Sequence, residues 1–520
     1  MHDVVIRGGL VVDGSGKPGR RTDVAIDGEK ISRIGNVESR GHVDIDASKS
    51  VVSPGFIDIH SHSDRVLWMD PEAHSKVRQG VTLEVVGNCG SSATYATSDR
   101  DGFEKGSWPS IADYFGALEE QGVAVNVMAL VGHGSVRANV MGYDRRPPTA
   151  RELQIMKRLV IQAMEQGAVG LSTGLVYTPG CFAETDEIIE LCRPVHAAGG
   201  FHATHLRGEG DTLVDAVEEA IYISRETGIP LQISHHKCMG KHNWGRVSDT
   251  LAMIETANDT GSDVTVDAYA YTAGSTGMIS LLPPWIHDGG RKHLLKRLED
   301  ASIRDRLRTQ MVEGLPGWSG RLNGTGWENI MVVSYTPDQS FEGMMVSEIA
   351  HKLHADPFDT AFDMLISADG NVQMCIFATC EQDVEMVMKS PFSMIGSDGR
   401  ALRADGALSR GKPHPRSYGN FPRVLAEYWR RRRIFGLETA VHKMTGMPAE
   451  RLGLSDRGLL REGAYADIVV FSPELVRDTA TFSNPHQYPE GILHVVVNGT
   501  ITVVDGNHTG HLGGKVLRKT

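Results

Sequence analysis

Two histidines separated by one residue, His60 and His62, follow a short apolar run over residues 55–59. If that run is a β-strand, both imidazoles point to the same face, because side chains alternate along a strand. Two imidazoles on one face can bind a divalent metal ion. A single His-x-His sequence can equally pack or face solvent, so a metal site has to be supported by other residues.

Further candidate ligands also follow apolar, strand-like runs. Cys89 is flanked by glycines in Gly87-Asn88-Cys89-Gly90, which lets the backbone bring the sulfur close to a metal; His205 and His235 end two later runs, and Asp398 ends another. Zinc prefers imidazole nitrogen and thiolate sulfur, and a carboxylate beside it can accept and return a proton. The sequence therefore predicts a metal site with Asp398 as the acid/base. The nearby His202 is interpreted as a packed residue.

These residues need a scaffold that gathers strand ends. Eight strand candidates alternate with helical stretches such as 151–165, 184–197 and 213–227, and they lie at 55–60, 81–86, 125–131, 168–172, 200–205, 231–235, 263–268 and 392–397. This order is typical of an α/β fold with a TIM-type (β/α)8 barrel, whose active site forms at the C-terminal ends of the strands. The connection between the seventh and eighth candidates is too long for one crossover, so we expect an inserted lobe over about 286–345.

Strand-like runs also occur at both chain ends, at 4–9, 24–28, 466–471 and 494–500. We therefore expect a small β-sandwich domain built from both termini, with residues 1–53 and 451–520 contributing to it. The metal-dependent barrel then occupies residues 54–450.

Composition excludes several classes of protein. The net charge of −12 over 520 residues argues against a nucleic-acid partner, which requires a basic surface. No secretory signal is visible and no apolar run approaches about 20 residues, so neither export nor a membrane partner is expected. Six cysteines do not form a disulfide framework, and a cytoplasmic location is expected. Nothing in the sequence sets the oligomeric state.

The motifs resemble the amidohydrolase superfamily and, within it, the D-aminoacylase (N-acyl-D-amino-acid deacylase) family. The resemblance covers nearly the whole chain through PGFIDIHSHSD (54–64), GNCG (87–90), GLSTGLVYTPG (170–180), ATHLRGEGD (203–211), ISHHK (233–237), DAYAYTAGST (267–276), GSDG (396–399) and KPHPRSYGNFPRVL (412–425). GNCG supplies a cysteine where many relatives use a carboxylated lysine as a metal bridge. One departure is the loop between Asp398 and Arg416, which is longer than is typical and is expected to reshape the pocket.

The resemblance implies a role for each matching residue. It implies Zn2+ tightly bound by Cys89, His205 and His235, and a second, weaker metal position at His60 and His62 with Cys89 as the bridge. Asp398 is implied to be the catalytic acid/base. The residues implied to bind the small-molecule substrate, chiefly its carboxylate, are Lys237, Tyr269, Ser275 and Arg416.

The implied activity is zinc-dependent hydrolysis of the amide bond of N-acyl-D-amino acids. Two alternatives keep the same metal site: a dipeptidase for peptides with a C-terminal D-residue, and a cyclic-amide hydrolase of the hydantoinase or dihydroorotase type. Arg416 and Cys89 favour the acyl-D-amino-acid branch over cyclic amides. A non-catalytic scaffold is the other class, but it should lack ligands or the acid/base, and this chain has both.

Overall fold

The structure is a computed structural model of the chain, and it describes residues 1–95 and 107–519. Its strands are, in chain order, β1 (His2–Val11), β2 (Arg20–Asp27), β3 (Lys30–Gly35), β4 (Gly41–Asp46), β5 (Val51–Pro54), β6 (Phe56–Asp58), β7 (Val81–Val86), β8 (Asn126–Ala129), β9 (Val131–Gly132), β10 (Gly170–Gly174), β11 (Phe201–His205), β12 (Leu231–Ile233), β13 (Val264–Ala268), β14 (Gly274–Gly277), β15 (Ile330–Ser334), β16 (Gln373–Ile376), β17 (Ser393–Ile395), β18 (Ile468–Phe471), β19 (Ile492–Val497), β20 (Thr500–Val504) and β21 (Asn507–His508).

Most helices lie between strands of the central region. They are α1 (Val66–Met69), α2 (His74–Val77), α3 (Ile111–Gln121), α4 (His133–Met141), α5 (Ala150–Glu165), α6 (Thr185–Ala197), α7 (Leu213–Thr227), α8 (Val247–Asp259), α9 (Arg291–Leu298), α10 (Ala301–Glu313), α11 (Val346–Leu353), α12 (Pro357–Ser367), α13 (Glu381–Lys389), α14 (Arg416–Arg423), α15 (Leu437–Met444) and α16 (Gly446–Arg451).

The central strands form a closed parallel ring. The strands β6, β7 and β8 are paired in parallel, and a second parallel sheet has the order β17-β13-β12-β11-β10-β9. One residue separates β8 from β9, so the two occupy one position in the ring. The ends of β17 and β6 are joined, because Asp398 N donates to His60 O at 2.8 Å and His62 N donates to Gly399 O at 2.9 Å. Eight strand positions result, which confirms the predicted (β/α)8 class.

Burial explains why these segments are strands. Every residue of β7, β10 and β11 is buried, as expected when a parallel sheet is covered by helices on its outer face. The helix α5 starts at a capping box formed by Thr149 and Glu152, and it buries one apolar stripe. The predicted helices at 151–165, 184–197 and 213–227 correspond to α5, α6 and α7.

Strands from both chain ends form one further sheet. Its order is β21-β20-β19-β18-β5-β1-β2-β3, and β4 pairs with β1. The strand β18 joins the two halves through antiparallel pairing with β5. Side chains from β1, β2, β18 and β19, including Ile6, Ile26, Val470 and Val496, share one hydrophobic cluster.

The connection between β13 and β17 contains a lobe with its own core. An antiparallel sheet of order β14-β16-β15 packs with α9–α12 around buried residues from Met278 to Ala378. The lobe thus extends on both sides of the predicted range 286–345, because β14 and β16 pair across about a hundred residues of sequence. Within the described residues, no helix is long and apolar enough to cross a bilayer.

Candidate active site

The C-terminal strand ends gather the predicted metal ligands in one place. Cys89 Sγ lies 3.3 Å from His60 Nε2 and 3.4 Å from His235 Nε2. The rings of His205 and His235 meet edge to face, with their centroids 4.3 Å apart. The rings of His60 and His62 are 5.4 Å apart. Four strand ends therefore bring one thiol and four imidazoles within a few ångströms of each other.

Local backbone conformation makes this convergence possible. Three site residues have positive φ: Cys89 (53°), His235 (37°) and Asp398 (50°). Such φ values are uncommon for residues other than glycine and cluster at functional sites. Glycine is required beside Cys89, since a Cβ on Gly87 would lie 2.2 Å from the Leu130 carbonyl oxygen.

Two buried carboxylates support the imidazoles. Asp267 Oδ1 lies 3.2 Å from His60 Nδ1 and accepts a hydrogen bond from the His235 backbone N–H at 2.7 Å. Glu209 lies 3.3 Å from His205 Nε2 and 3.4 Å from His235 Nδ1. A carboxylate on one nitrogen of an imidazole fixes the ring and leaves the other nitrogen for a metal.

Electrostatics favours the thiolate form of Cys89. Burial alone would raise the pKa of Cys89, but the charges of the neighbouring His60 and His235 hold it well below its ordinary value. A thiolate is the form of cysteine that binds metal.

The donor set fits a divalent metal. Three groups each place three ligand atoms within 4.8 Å of one another: His60-Cys89-His235, His60-His62-Asp398 and His205-Glu209-His235. Both ring nitrogens of His205 are buried and make no hydrogen bond within the described chain. Because a buried polar atom without a partner is costly, these nitrogens indicate a ligand that satisfies them.

Asp398 connects this cluster to a cationic side of the site. One carboxylate oxygen lies 3.0 Å from His62 Nε2, and the other lies 2.8 Å from Arg416 Nη1. Burial would raise the pKa of Asp398, but Arg416, then His235, and the hydrogen bond with His62 hold it well below its ordinary range.

The four predicted substrate-binding residues lie on that cationic side. Arg416 is stacked on Tyr269, with its guanidinium carbon 4.6 Å from the ring centroid, and it donates to the Ser275 carbonyl oxygen at 3.3 Å. The hydroxyl of Tyr269 is buried and has no hydrogen-bond partner among the described residues. Lys237 Nζ contacts Glu209 at 2.5 Å, and the Ser275 hydroxyl donates to Met374 O at 2.9 Å.

A buried ion network lies directly behind Asp398. Lys76 Nζ contacts Asp58 Oδ2 at 2.6 Å, Glu84 Oε1 at 2.8 Å and Ser397 Oγ at 2.8 Å, and the three charged side chains are fully buried. Asp58 in turn accepts from the Ser397 backbone N–H at 2.8 Å. The network therefore fixes the turn that presents Asp398.

Sequence reasoning gave no role to several of these residues. Glu209, Asp267 and Lys76 were not predicted to support the site. The position of Glu209 four residues after His205 was the one available signal, whereas the position of Lys76 depends on three distant segments. His202 is buried and hydrogen-bonded to Thr173, away from the cluster of ligand atoms.

Comparison with known proteins agrees with this geometry. The sequence profile of the Amidohydrolase family matches residues 44–280 and 397–503. The chain is 38% identical to the D-aminoacylase of Alcaligenes xylosoxydans xylosoxydans, over 100% of this chain and 98% of that protein. It is 39% identical to the N-acyl-D-glutamate deacylase of the same organism, over 99% of this chain and 96% of that protein.

A solved structure extends the similarity to the fold. The N-acyl-D-glutamate deacylase of Bordetella bronchiseptica, complexed with zinc and a phosphonate that mimics the tetrahedral intermediate, superimposes with a TM-score of 0.84 at 35% identity, covering 100% of both chains. Together with the cysteine and histidine cluster at the strand ends, these matches show that the chain belongs to the amidohydrolase family, in its D-aminoacylase branch.

Proposed function

We propose that the protein is a zinc-dependent amidohydrolase that converts N-acyl-D-amino acids into a carboxylate and a free D-amino acid. The observation that carries this function is the position of Asp398, which contacts a candidate metal ligand, His62, on one side and a carboxylate-binding cation, Arg416, on the other. The acid/base thus lies between the metal cluster and the group that would hold the substrate. The identity with D-aminoacylase over the whole chain supports the same reaction.

We assign the tight zinc position to Cys89, His205 and His235. A second, weaker position falls to His60 and His62, with Cys89 between the two, in line with the 3.3 Å approach of Cys89 Sγ to His60 Nε2. Zinc supplies Lewis-acid chemistry and makes water acidic enough to yield hydroxide near neutral pH.

Asp398 moves the proton in this reaction. Its carboxylate accepts the proton of the attacking water and later delivers it to the leaving nitrogen, which cannot depart as an amide anion. In the structure burial would raise the pKa of Asp398, but Arg416, then His235 and His62, keep it low. A substrate carboxylate that binds Arg416 competes with Asp398 for the guanidinium, so Asp398 becomes more basic when its proton acceptance is needed.

Arg416, Lys237, Tyr269 and Ser275 orient the substrate through its α-carboxylate. Arg416 offers a planar fork that matches a carboxylate, and Tyr269 offers a buried hydroxyl without another partner. With the carboxylate fixed, one configuration at Cα places the amide next to Asp398, and selectivity for the D-form follows.

A substrate panel on zinc-loaded protein tests the proposal. It contains several N-acetyl-D-amino acids, their L-forms, a dipeptide with a C-terminal D-residue and a hydantoin. We expect turnover of the N-acetyl-D-amino acids and at least about a hundredfold lower kcat/KM for the L-forms, because a misplaced amide forfeits much of the advantage of orientation. Equal rates for D- and L-forms, or preference for the hydantoin, would contradict the proposal.

We also propose that the protein works in a reducing compartment such as the cytoplasm. All six cysteines are free, and Cys89 serves as a ligand only while its thiolate is not oxidised.

A further inference from the structure

A cleft opens beside the candidate metal ligands. Its empty volume, including the open mouth, is about 500 Å³. Three segments supply most of its lining: the loop after β11, the loop after β12 and the lobe segment 318–323. The lining includes Arg207, Glu209, Met239, Trp318, Arg321 and Asn323. Glu209 belongs both to this cleft and to the surroundings of His205 and His235, so the cleft adjoins the reacting centre.

Arg321 is the residue of this cleft whose charge is least compensated. Its side chain is 12% exposed, and its Nη2 is buried without a hydrogen bond to any described residue. Its nearest carboxylate is Glu209, at 3.6 Å, and Glu209 is already engaged by Lys237 at 2.5 Å. Two cations thus share one buried carboxylate, which leaves a positive charge without a full partner.

The other charged groups of the cleft are satisfied. Arg207 donates to both oxygens of Glu219 at 2.9 Å and to the Ala183 carbonyl oxygen at 3.0 Å. Asp211 is 42% exposed, and its carboxylate is occupied by His242 at 2.6 Å and by the side-chain amides of two asparagines. Neither group compensates the inward-facing guanidinium of Arg321.

Burying a guanidinium without hydrogen-bond partners destabilises the folded protein. Its strongest partner is a carboxylate, which can accept two parallel N–H···O hydrogen bonds from it. The α-carboxylate of the substrate is assigned to Arg416 and its neighbours, so Arg321 is left to meet a different group. Glu209 indicates which side Arg321 faces, because the same carboxylate oxygen lies 3.6 Å from Arg321 Nη2 and 3.3 Å from His205 Nε2. The guanidinium therefore lies towards the metal cluster.

We infer that Arg321 binds a second carboxylate of the substrate, so that the preferred substrates are dicarboxylates. This inference rests on the proposed deacylase function and adds its substrate class. The second carboxylate can be carried by the side chain of the D-amino acid or by a dicarboxylic acyl group such as succinyl. Both groups extend from the amide, the bond that lies next to Asp398, and both present the same chemistry to Arg321.

Three substrates distinguish the two sources. N-acetyl-D-glutamine is the neutral reference, N-acetyl-D-glutamate carries the charge on the side chain, and N-succinyl-D-glutamine carries it on the acyl group. We expect the zinc-loaded wild type to favour one charged substrate over the reference by about tenfold or more in kcat/KM, as expected for a charged hydrogen bond. Arg321→Met should abolish that preference while leaving N-acetyl-D-glutamine within about threefold, and Arg321→Lys should retain part of it.

Controls separate this inference from the function and from folding. Arg306→Met removes an exposed arginine of the same lobe, which is stacked on Trp285 at 4.2 Å, and should leave the preference intact. Zinc content and the thermal midpoint show whether each variant is folded; if Arg321→Met loses zinc, Arg321→Gln takes its place in the same comparison. Equal kcat/KM for all three substrates in the wild type, or an equal loss for all three in the variant, overturns the inference and leaves the deacylase function standing. Absence of turnover of all three overturns both.

Discussion

Replacing Lys76 by methionine removes the one cation from a fully buried network of the barrel. Its ammonium contacts Asp58 at 2.6 Å and Glu84 at 2.8 Å, and both carboxylates are 0% exposed. Methionine has a similar length, so the change removes charge and hydrogen bonds without leaving a large cavity. The two carboxylates lose their counter-charge, and Glu84, whose pKa burial already raises despite the opposing charge of Lys76, becomes protonated more readily still.

The magnitude follows from the burial of the pair. Removing one partner of a buried ion pair costs about 3–5 kcal/mol, because the remaining charge is left without compensation. At about 2.1 cal/mol/K of unfolding entropy per residue, each kcal/mol lowers the thermal midpoint of a 520-residue chain by about 1 °C, so we expect a decrease of roughly 3–5 °C. A second effect concerns catalysis. Asp58 and Lys76 both bind Ser397, so the substitution weakens the turn that holds Asp398 at φ 50°. We therefore expect kcat to fall by a larger factor than the amount of bound zinc.

Differential scanning calorimetry, elemental analysis and steady-state kinetics measure these quantities on the same preparation. The matched control is Lys157→Met, which breaks a partly exposed pair with Glu190 at 2.7 Å and should shift the midpoint by no more than about 1 °C. If the Lys76→Met midpoint falls within the range of this control, the network does not stabilise the barrel and the reasoning is refuted.

Three further predictions concern the site and its surroundings. Asp398→Asn should keep its zinc and lose about three orders of magnitude in kcat, as is typical when a general acid/base is removed; a near-normal rate would exclude Asp398 from proton transfer. Cys89→Ala should lose zinc in elemental analysis, whereas Cys181→Ala should keep it; full zinc content in the first variant would refute thiolate binding. Burial, with a contribution from His133, lowers the pKa of His202 from 6.5 to about 3 in the folded protein. Between these two pH values His202 is protonated in the unfolded chain but not in the folded one. The free energy of unfolding therefore decreases as the pH falls through that window. His202→Gln should reduce the pH dependence of the unfolding free energy by up to about 1.4 kcal/mol per pH unit. Thermal midpoints of the wild type and the variant across this pH range measure the difference. The zinc ligands titrate in both proteins, so parallel plots of midpoint against pH would show that His202 does not contribute.

The parts of the fold that were predictable are those that depend on local pattern. Fully apolar strand segments alternating with amphipathic helices predicted the barrel, and the rule that its site forms at strand ends then placed Cys89, His60, His205 and His235 together. The motifs supplied the same residues in the order of the family. The strand–helix pattern and the motifs do not depend on long-range side-chain contacts. Both can therefore be recognised in a single sequence.

The remaining features depend on contacts between distant segments. The left-handed backbone at Cys89, His235 and Asp398 is imposed by the surrounding structure. Asp and His adopt it more often than other non-glycine residues, but their presence alone does not predict it. In the sequence nothing distinguishes Lys76 from other polar helix residues. Only the fold brings Asp58, Glu84 and Ser397 into contact with its ammonium group. The strand β14 depends on a distant contact in the same way, since it pairs with β16 about a hundred residues later in the chain.

This division between local pattern and distant contacts also bears on substrate choice. The chain is 38% identical to a D-aminoacylase and 39% identical to an N-acyl-D-glutamate deacylase, so overall identity does not separate the two activities. The proposed metal ligands and Asp398 would not separate them either, because in the proposed reaction they act on the amide that every substrate shares. Discrimination has to come from groups that face the variable parts of the substrate, and Arg321 is such a group, with a buried guanidinium supplied by the inserted lobe. Selection can therefore change specificity in the lobe while the strand ends, which perform the chemistry, stay constant.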